Sequence, residues 1–271
     1  MSKGQKLDVG LKFLHQAMKL ESLHFGLFTE DIPQDLDGIK LAQREYTRVL
    51  VGMIPKKAKT VLDVGCGVGT SCRVIKDEGF DVEGLSPDNY HAEVFPRICG
   101  TDVMFHHSGF EPFTSSTKYD CLFFSESPQY IKKDEFWPKC LSLTETGSSV
   151  VAADFFQHVK NDEYHMCFLQ DEFEKGAERA GYKIEERRDI TENVMPNVEI
   201  ARILLGHGQT FMEFIQDMIK VQAPIVWKIV KLLFGRKMKV VNSLVYDKLP
   251  YRLDPERFRK TMRYAMYRFS R

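Results

Sequence analysis

Val61-Leu62-Asp63-Val64-Gly65-Cys66-Gly67-Val68-Gly69-Thr70 is the stretch that decides the fold. An apolar run ends in a glycine-rich turn, and a helix-forming segment (71–78) follows at once, so the reading is strand, tight turn, helix. Glycine accepts positive φ and lets the main chain come into contact with a ligand. The spacing is G-x-G-x-G. A dinucleotide turn needs G-x-G-x-x-G, and its third glycine would fall on Thr70, so a pyrophosphate ligand is disfavoured. Asp63, two residues before the first glycine, suits a ligand that carries a positive charge and ribose hydroxyls.

Outward from this turn, short apolar runs alternate with helical or loop segments of about 10 to 20 residues. Strands are expected over 60–64, 81–85, 102–106, 119–125, 148–155 and 183–190. Continuous apolar strands joined by crossover helices mean a parallel sheet covered on both faces. The run 183–190 alternates apolar and charged residues instead, as an edge or antiparallel strand does. On the N-terminal side, helices are expected over 7–20 and 38–53, with a turn at His24-Phe25-Gly26-Leu27-Phe28 between them. On the C-terminal side, 191–250 reads as helices. Asp254-Pro255-Glu256 is a helix start with Asp as N-cap and Pro in the first turn, and 261–270 alternates like a last strand. Four segments follow: a helical cap (1–58), a sheet core (59–190), a helical lid insertion (191–260) and the closing strand (261–271).

The loop pattern of apolar-Leu-Asp-apolar-Gly-x-Gly-x-Gly resembles the first motif of the class I S-adenosylmethionine-dependent methyltransferases, and the likeness extends from Thr60 to Phe155. It implies an α/β, Rossmann-like, doubly wound seven-stranded sheet, with the helical insertion between strands six and seven. It implies S-adenosylmethionine as cofactor, with Asp63, Gly65, Gly67 and Gly69, and Cys66 between them, around its methionine part and ribose. The family's ribose-binding acid falls on Ser86 in Gly84-Leu85-Ser86-Pro87-Asp88, so either Ser86 or Asp88 makes that contact. That turn is similar to the Leu-Ser-Pro of tocopherol-type and cyclopropane-synthase-type enzymes. After strand three, Ser108, Gly109 and Phe110 occupy the adenine position, though Phe110 equally suits a core aromatic. Pro112-Phe113 resembles the family's Pro-Phe before strand four.

Strand four ends in Phe124-Ser125-Glu126-Ser127-Pro128-Gln129-Tyr130, at the carboxyl edge where open parallel sheets bind ligands. The resemblance places Ser125 at the cofactor, Gln129 and Tyr130 at the acceptor, and Glu126 as a base or charge stabiliser for methylation of carbon. A glutamate that only orders the cofactor pocket is the alternative. His24-Phe25-Gly26 and Leu41-Ala42-Gln43 resemble N-terminal elements of the same relatives, His-Phe-Gly-Tyr and Leu-x-x-Ala-Gln, which close over the cofactor. That adds His24 as a catalytic candidate and Phe25 as a substrate contact. Asp189-Ile190-Thr191-Glu192-Asn193-Val194-Met195-Pro196 is similar to their segment after strand six, which leads into the acceptor-shaping insertion, where Trp227 is a further candidate.

The implied function is methyl transfer to a lipophilic small molecule of isoprenoid, sterol, quinone or tocopherol-like character, at carbon. N- or O-methylation of a smaller metabolite or alkaloid is the alternative, and a non-catalytic cofactor-binding protein is the reading from another class.

The totals bound the rest. With 271 residues, 43% hydrophobic and 28% charged, the chain suits one large domain or one domain with an elaborate insertion. Net charge is zero, yet Thr210–Arg271 carries 14 Lys/Arg against 5 Asp/Glu, so the body before it is acidic. An acidic body without an Asn-Pro-Pro-Tyr-like motif argues against nucleic acid. Six cysteines without a CxxC pair suit reduced thiols. No His/Cys/carboxylate set has ligand spacing, so no metal is expected. No signal peptide is read at the N-terminus, and acidic and basic residues interrupt 211–234, so no transmembrane helix is expected either. The localisation expected is cytoplasmic. Lys228, Lys231, Arg236, Lys237 and Lys239 beside apolar residues suit peripheral contact with an anionic membrane, or a solvated basic face.

Overall fold

The computed structural model describes Ser22 and residues 24–271, so the helix expected over 7–20 lies outside the described residues. The chain divides into two compact units, one running to Val194 and rejoined by Thr261–Arg271, the other Met195–Lys260. In the first, α1 (Leu36–Val51) is followed by β1 (Thr60–Val64), α2 (Thr70–Asp77), β2 (Asp81–Leu85), α3 (Asn89–Cys99), β3 (Phe105–His106) and β4 (Cys121–Ser125). Then come α4 (Lys133–Leu143), β5 (Ser149–Gln157), β6 (Phe168–Leu169), α5 (Gln170–Arg179) and β7 (Lys183–Asp189), and β8 (Met262–Ser270) completes it. The second unit is helical, with α6 (Thr191–Gln222) running into it. It continues through α7 (Pro224–Asn242), a π-helical stretch (Ser243–Lys248), α8 (Leu249–Arg252) and α9 (Pro255–Thr261).

The strand order is β3-β2-β1-β4-β5-β8-β7, with β6 beside the end of β5. Pairing is parallel from β3 to β5, while β8 runs antiparallel to both β5 and β7. The direction of winding reverses between β1 and β4, and the crevice outside a doubly wound sheet opens at such a point.

The seven strands of that path are the seven expected, and the two-residue β6, too short to show a hydrophobic pattern, adds an eighth beside β5. Two strand starts need correction. The third strand begins at Phe105 rather than 102, since Asp102 turns away to an ion pair with Lys76 at 2.5 Å. The fourth begins at Cys121, because the Asp120 carboxylate caps the start of β1, accepting from Lys59 N–H (2.8 Å) and Thr60 N–H (3.1 Å).

Side chains alternate across each strand, and both faces are covered. One layer packs Val61, Cys121, Phe123, Val151 and Tyr264 against Tyr46 and Leu50 of α1, Ile75 of α2 and Phe95 of α3. The other packs Leu62, Phe124, Val150, Tyr267 and Phe269 against Phe136 and Trp137 of α4 and Phe173 of α5. Phe136 is fully buried, with ring centroids of Phe124, Trp137, Phe168 and Phe173 at 4.9 to 5.7 Å. Phe136→Ala is therefore expected to cost about 3–5 kcal/mol in urea unfolding.

Candidate functional site

The carboxyl ends of β1 and β4 lie side by side where the winding reverses. Ser127 Oγ donates to Val64 O at 2.5 Å, and a Cβ on Gly65 would stand 2.4 Å from that of Ser127, so only glycine fits there. Gly65 N–H and Cys66 N–H both donate to Leu85 O, at 2.8 and 3.2 Å, which ties the loop to β2. Gly65, Gly67 and Gly69 take φ of 79°, 58° and 99°. A Cβ on Gly69 would strike Cys99 Sγ at 2.5 Å, whereas one on Gly67 would meet nothing within 4 Å. Gly65 and Gly69 thus serve packing, and Gly67 is the glycine whose main chain stays open to a ligand. The Cys66 side chain is turned into the core, so this residue presents only its backbone.

Asp63 is fully buried beneath the loop. Its Oδ2 accepts from Ser71 Oγ at 2.5 Å and Cys72 Sγ at 3.2 Å, while Oδ1 has no partner among the described residues. Burial without a cation pushes its pKa up to about 6. A buried acceptor left open costs stability, and the cost is recovered when a cationic or hydroxyl-bearing ligand satisfies it.

After β2, Ser86 is buried, hydrogen-bonded to His91 Nδ1 at 2.8 Å and accepting from Asp88 N–H at 3.4 Å. Asp88 caps α3 through Oδ1, which accepts from Tyr90 N–H (2.9 Å) and His91 N–H (3.3 Å). Ser86 is spent on this turn, and Oδ2 of Asp88 is the carboxylate oxygen left to it. After β3, Ser108 Oγ donates to Gly109 O at 3.1 Å. Phe110 belongs to the core: it is 4% exposed, with Phe124 edge-on at 5.4 Å.

At the end of β4 the backbone is strained. Glu126 has φ of +51°, the one positive value at a non-glycine among the described residues. Its Oε1 accepts two hydrogen bonds of 2.6 Å, from Phe25 N–H and from the Tyr264 hydroxyl. A phenol has one hydrogen, so Tyr46 must donate to Tyr264 (3.0 Å) and Ser125 Oγ to Tyr46 (3.4 Å). The donors point one way, toward the carboxylate. Burial raises the pKa of Glu126 to about 7 against these two hydrogen bonds. Asp154 on β5, also buried, is raised by burial and by the Glu126 charge; it accepts from Gln129 N–H at 2.8 Å and holds the turn after Glu126. Tyr130 is 63% exposed at the rim.

His24 is a brace. Its Nδ1–H donates to Phe25 O at 2.8 Å, its Nε2 meets the Thr47 hydroxyl at 3.1 Å, and its ring stacks on Tyr46 at 4.3 Å. Burial lowers its pKa to about 4, so it is neutral, and both ring nitrogens lie within hydrogen-bond distance of groups of the chain itself. Gln43 donates to the carbonyls of Ser22 (2.9 Å) and His24 (2.8 Å), and a Cβ on Gly26 would strike that of Ala42 at 2.5 Å. Asn193 closes the same segment, donating to Phe28 O at 3.0 Å. The segment 24–28 is thus held from two sides, by 41–43 at the peptide whose N–H reaches Glu126 and by Asn193 at Phe28. Phe25 itself packs edge-on against Phe155 at 4.9 Å. Trp227 lies on α7 of the second unit.

Tyr46, Tyr264 and Asp154 escape the sequence reading. The two tyrosines sit at buried positions of regular patterns, whereas an acid inside the apolar run of β5 is a signal that was there to be read. Among the described residues no group of three or more His, Cys, Asp or Glu can hold a metal ion.

A family model described as a methyltransferase domain matches residues 39–187. No curated protein matches the chain by sequence. Among solved structures, the 4+2 cyclase SpnF superposes with a TM-score of 0.70 at 16% identity, covering 98% of this chain and 93% of that one. Geranyl diphosphate C-methyltransferase from Streptomyces coelicolor A3(2), solved with Mg2+, geranyl diphosphate and S-adenosyl-L-homocysteine, gives 0.68 at 13% identity, covering 100% and 98%. The cyclopropane synthase MmaA2 from Mycobacterium tuberculosis gives 0.63 at 12%, covering 96% and 93%. At these identities the likeness is one of fold.

Two outcomes follow for the ligand-free protein. The pKa of Asp63 is higher folded than unfolded, so its contribution to stability is present below about 4 and is lost as pH rises to about 6. Asp63→Asn, which keeps an acceptor for Ser71, is therefore expected to raise the melting temperature above pH 6 and leave it nearly unchanged at pH 4. In the loop, Gly67→Ala should cost only the left-handed backbone penalty of about 1–2 kcal/mol, whereas Gly69→Ala adds overpacking and costs more. Urea titrations of the pair measure the difference.

Proposed function

The chain belongs to the methyltransferase-domain family, and from that premise we propose that it transfers the methyl group of S-adenosylmethionine to carbon of a lipophilic small molecule of isoprenoid, sterol, quinone or tocopherol-like character. The observation that carries the cofactor is the pairing of Gly67, beside which a Cβ meets nothing, with the unsatisfied Oδ1 of buried Asp63. Together they fit a ligand that lies against bare main chain and brings positive charge and hydroxyls. Asp63 and the backbone of Gly65–Gly69 would hold the amino-acid part, Asp88 Oδ2 the ribose, and Ser108 and Gly109 the rim around the base. When bound, the cofactor supplies an electrophilic methyl group.

The observation that carries the acceptor chemistry is Glu126. A nucleophilic carbon that takes a methyl group must give up a proton, and a base with a pKa near neutrality is suited to receive it. Oε1 is saturated by Phe25 N–H and Tyr264, and Oε2 takes no hydrogen bond from the described residues, so Oε2 is the oxygen that accepts the proton. Tyr264 does not touch the acceptor; it steadies the carboxylate and favours its charged form. Gln129, whose side-chain amide donates to the Glu126 carbonyl at 3.4 Å, and the exposed Tyr130 are the candidate acceptor contacts. Methylation of isoprenoid carbon by the geranyl diphosphate enzyme, a protein of this fold, supports the same reading.

Labelled S-adenosylmethionine incubated with a panel of isoprenoids, sterols and quinones should put label into an organic-soluble product. Failure to label any of them would remove the acceptor class. Glu126→Gln is expected to lower kcat by about 100-fold or more while calorimetry still detects S-adenosylhomocysteine binding. Activity should rise with pH through about 7, where Glu126 ionises. Tyr264→Phe removes a donor to the ionised form, so this limb moves to higher pH, with KM changed less than kcat.

A further inference from the structure

We propose that α7 of the helical unit is a docking surface for a lipid bilayer that carries anionic phospholipid head groups. Pro224–Asn242 contains Lys228, Lys231, Arg236, Lys237 and Lys239 and no acidic residue. None of these cations forms an ion pair among the described residues, and Lys237 lies over the ring of Phe234 at 6.0 Å. Its large apolar side chains are nevertheless exposed: Leu232 84%, Ile225 74%, Val240 71% and Leu233 67%, with Val226 and Ile229 about half. A surface of this kind has no reason to face water alone.

The arrangement around the helix identifies the partner. At about 100° per residue, those six apolar side chains fall within a sector of roughly 120°, with Phe234 and Val241, 48% and 46% exposed, outside it. Lys228 and Lys239 edge it on one side, with Lys231 farther round, and Lys237 edges it on the other. Arg236 alone points from within. Aliphatic side chains in such a strip sink about 5–10 Å into the boundary between head groups and acyl chains, while lysine stems extend to the phosphates on either side. Negative lipid is the complementary surface for a segment with five cations and no anion. Self-association through this face would set five cations against five. Spanning is not the mode, since no helix of the described residues is long and apolar enough to cross a membrane.

The test is flotation of the full chain with vesicles of phosphatidylcholine alone and of phosphatidylcholine mixed equally with phosphatidylglycerol. Flotation with the mixed vesicles and not the neutral ones, weakened by salt, is expected. Leu232→Glu with Leu233→Glu, and separately Lys228→Gln with Lys231→Gln and Lys239→Gln, should each reduce partitioning at least about tenfold, since each lysine near the surface contributes about fivefold. Circular dichroism equal to the parent's reports that the helical unit of each variant is folded, and the lysine set changes only exposed charges. No flotation of the parent chain, equal flotation by both variant sets, or a concentration-dependent dimer that the leucine variants abolish would overturn the proposal. Each of those outcomes leaves the methyl-transfer reading intact, because its labelling assay contains no vesicles.

Discussion

The larger unit depends on one carboxylate oxygen. Glu126 Oε1 binds the Phe25 amide, 101 residues earlier, and the Tyr264 hydroxyl, 138 residues later. A strand end, an N-terminal segment and the final strand therefore meet at a single acceptor. The meeting is held under tension, since a glutamate at φ of +51° forfeits of order 1–3 kcal/mol of backbone energy. The surroundings overcome that loss. Glu126 N–H donates to Ala153 O at 2.8 Å, and Ser127 Oγ locks the next residue to Val64 O at 2.5 Å. The turn keeps its shape because strands on both sides fix it.

The glycine loop shows the opposite economy. Asp63 is buried with an oxygen left over, which weakens the protein by itself and prepares it for a ligand. Gly65 and Gly69 are filled in from beneath by Ser127, Cys99 and Phe95, so the loop is rigid at its ends. Only its middle is bare. Rigidity at the edges and openness at the centre let a ligand bind without first paying to order the chain.

How much of this was legible in the sequence follows from which signals are local. The loop and the alternating strands are read from consecutive residues, because strand, turn and helix each carry their own periodicity. The matches at His24, Gln43 and Asn193 were legible only by resemblance, and the structure supplies their reason: His24 and Gln43 hold the chain at Phe25, and Asn193 holds it three residues on at Phe28. Tyr46 and Tyr264 were not legible, because a buried tyrosine in a strand or helix pattern looks the same whether its hydroxyl is idle or at work. Phe110, which suited the adenine position and the core equally, packs against Phe124 in the core. Ser86 and Asp88 could not be told apart in the sequence, because the bond of the serine to His91 and the helix cap that takes one oxygen of the aspartate are tertiary facts.

The one-way run of hydroxyls from Ser125 through Tyr46 and Tyr264 makes the Glu126 carboxylate a lopsided tool. With one lobe held by two donors, protons can arrive only at the other, from the side it faces. Under the proposed chemistry an acceptor seated there presents a single hydrogen of a prochiral pair, whatever its own conformational preferences. Which of the two hydrogens leaves is then decided by an asymmetry within one side chain.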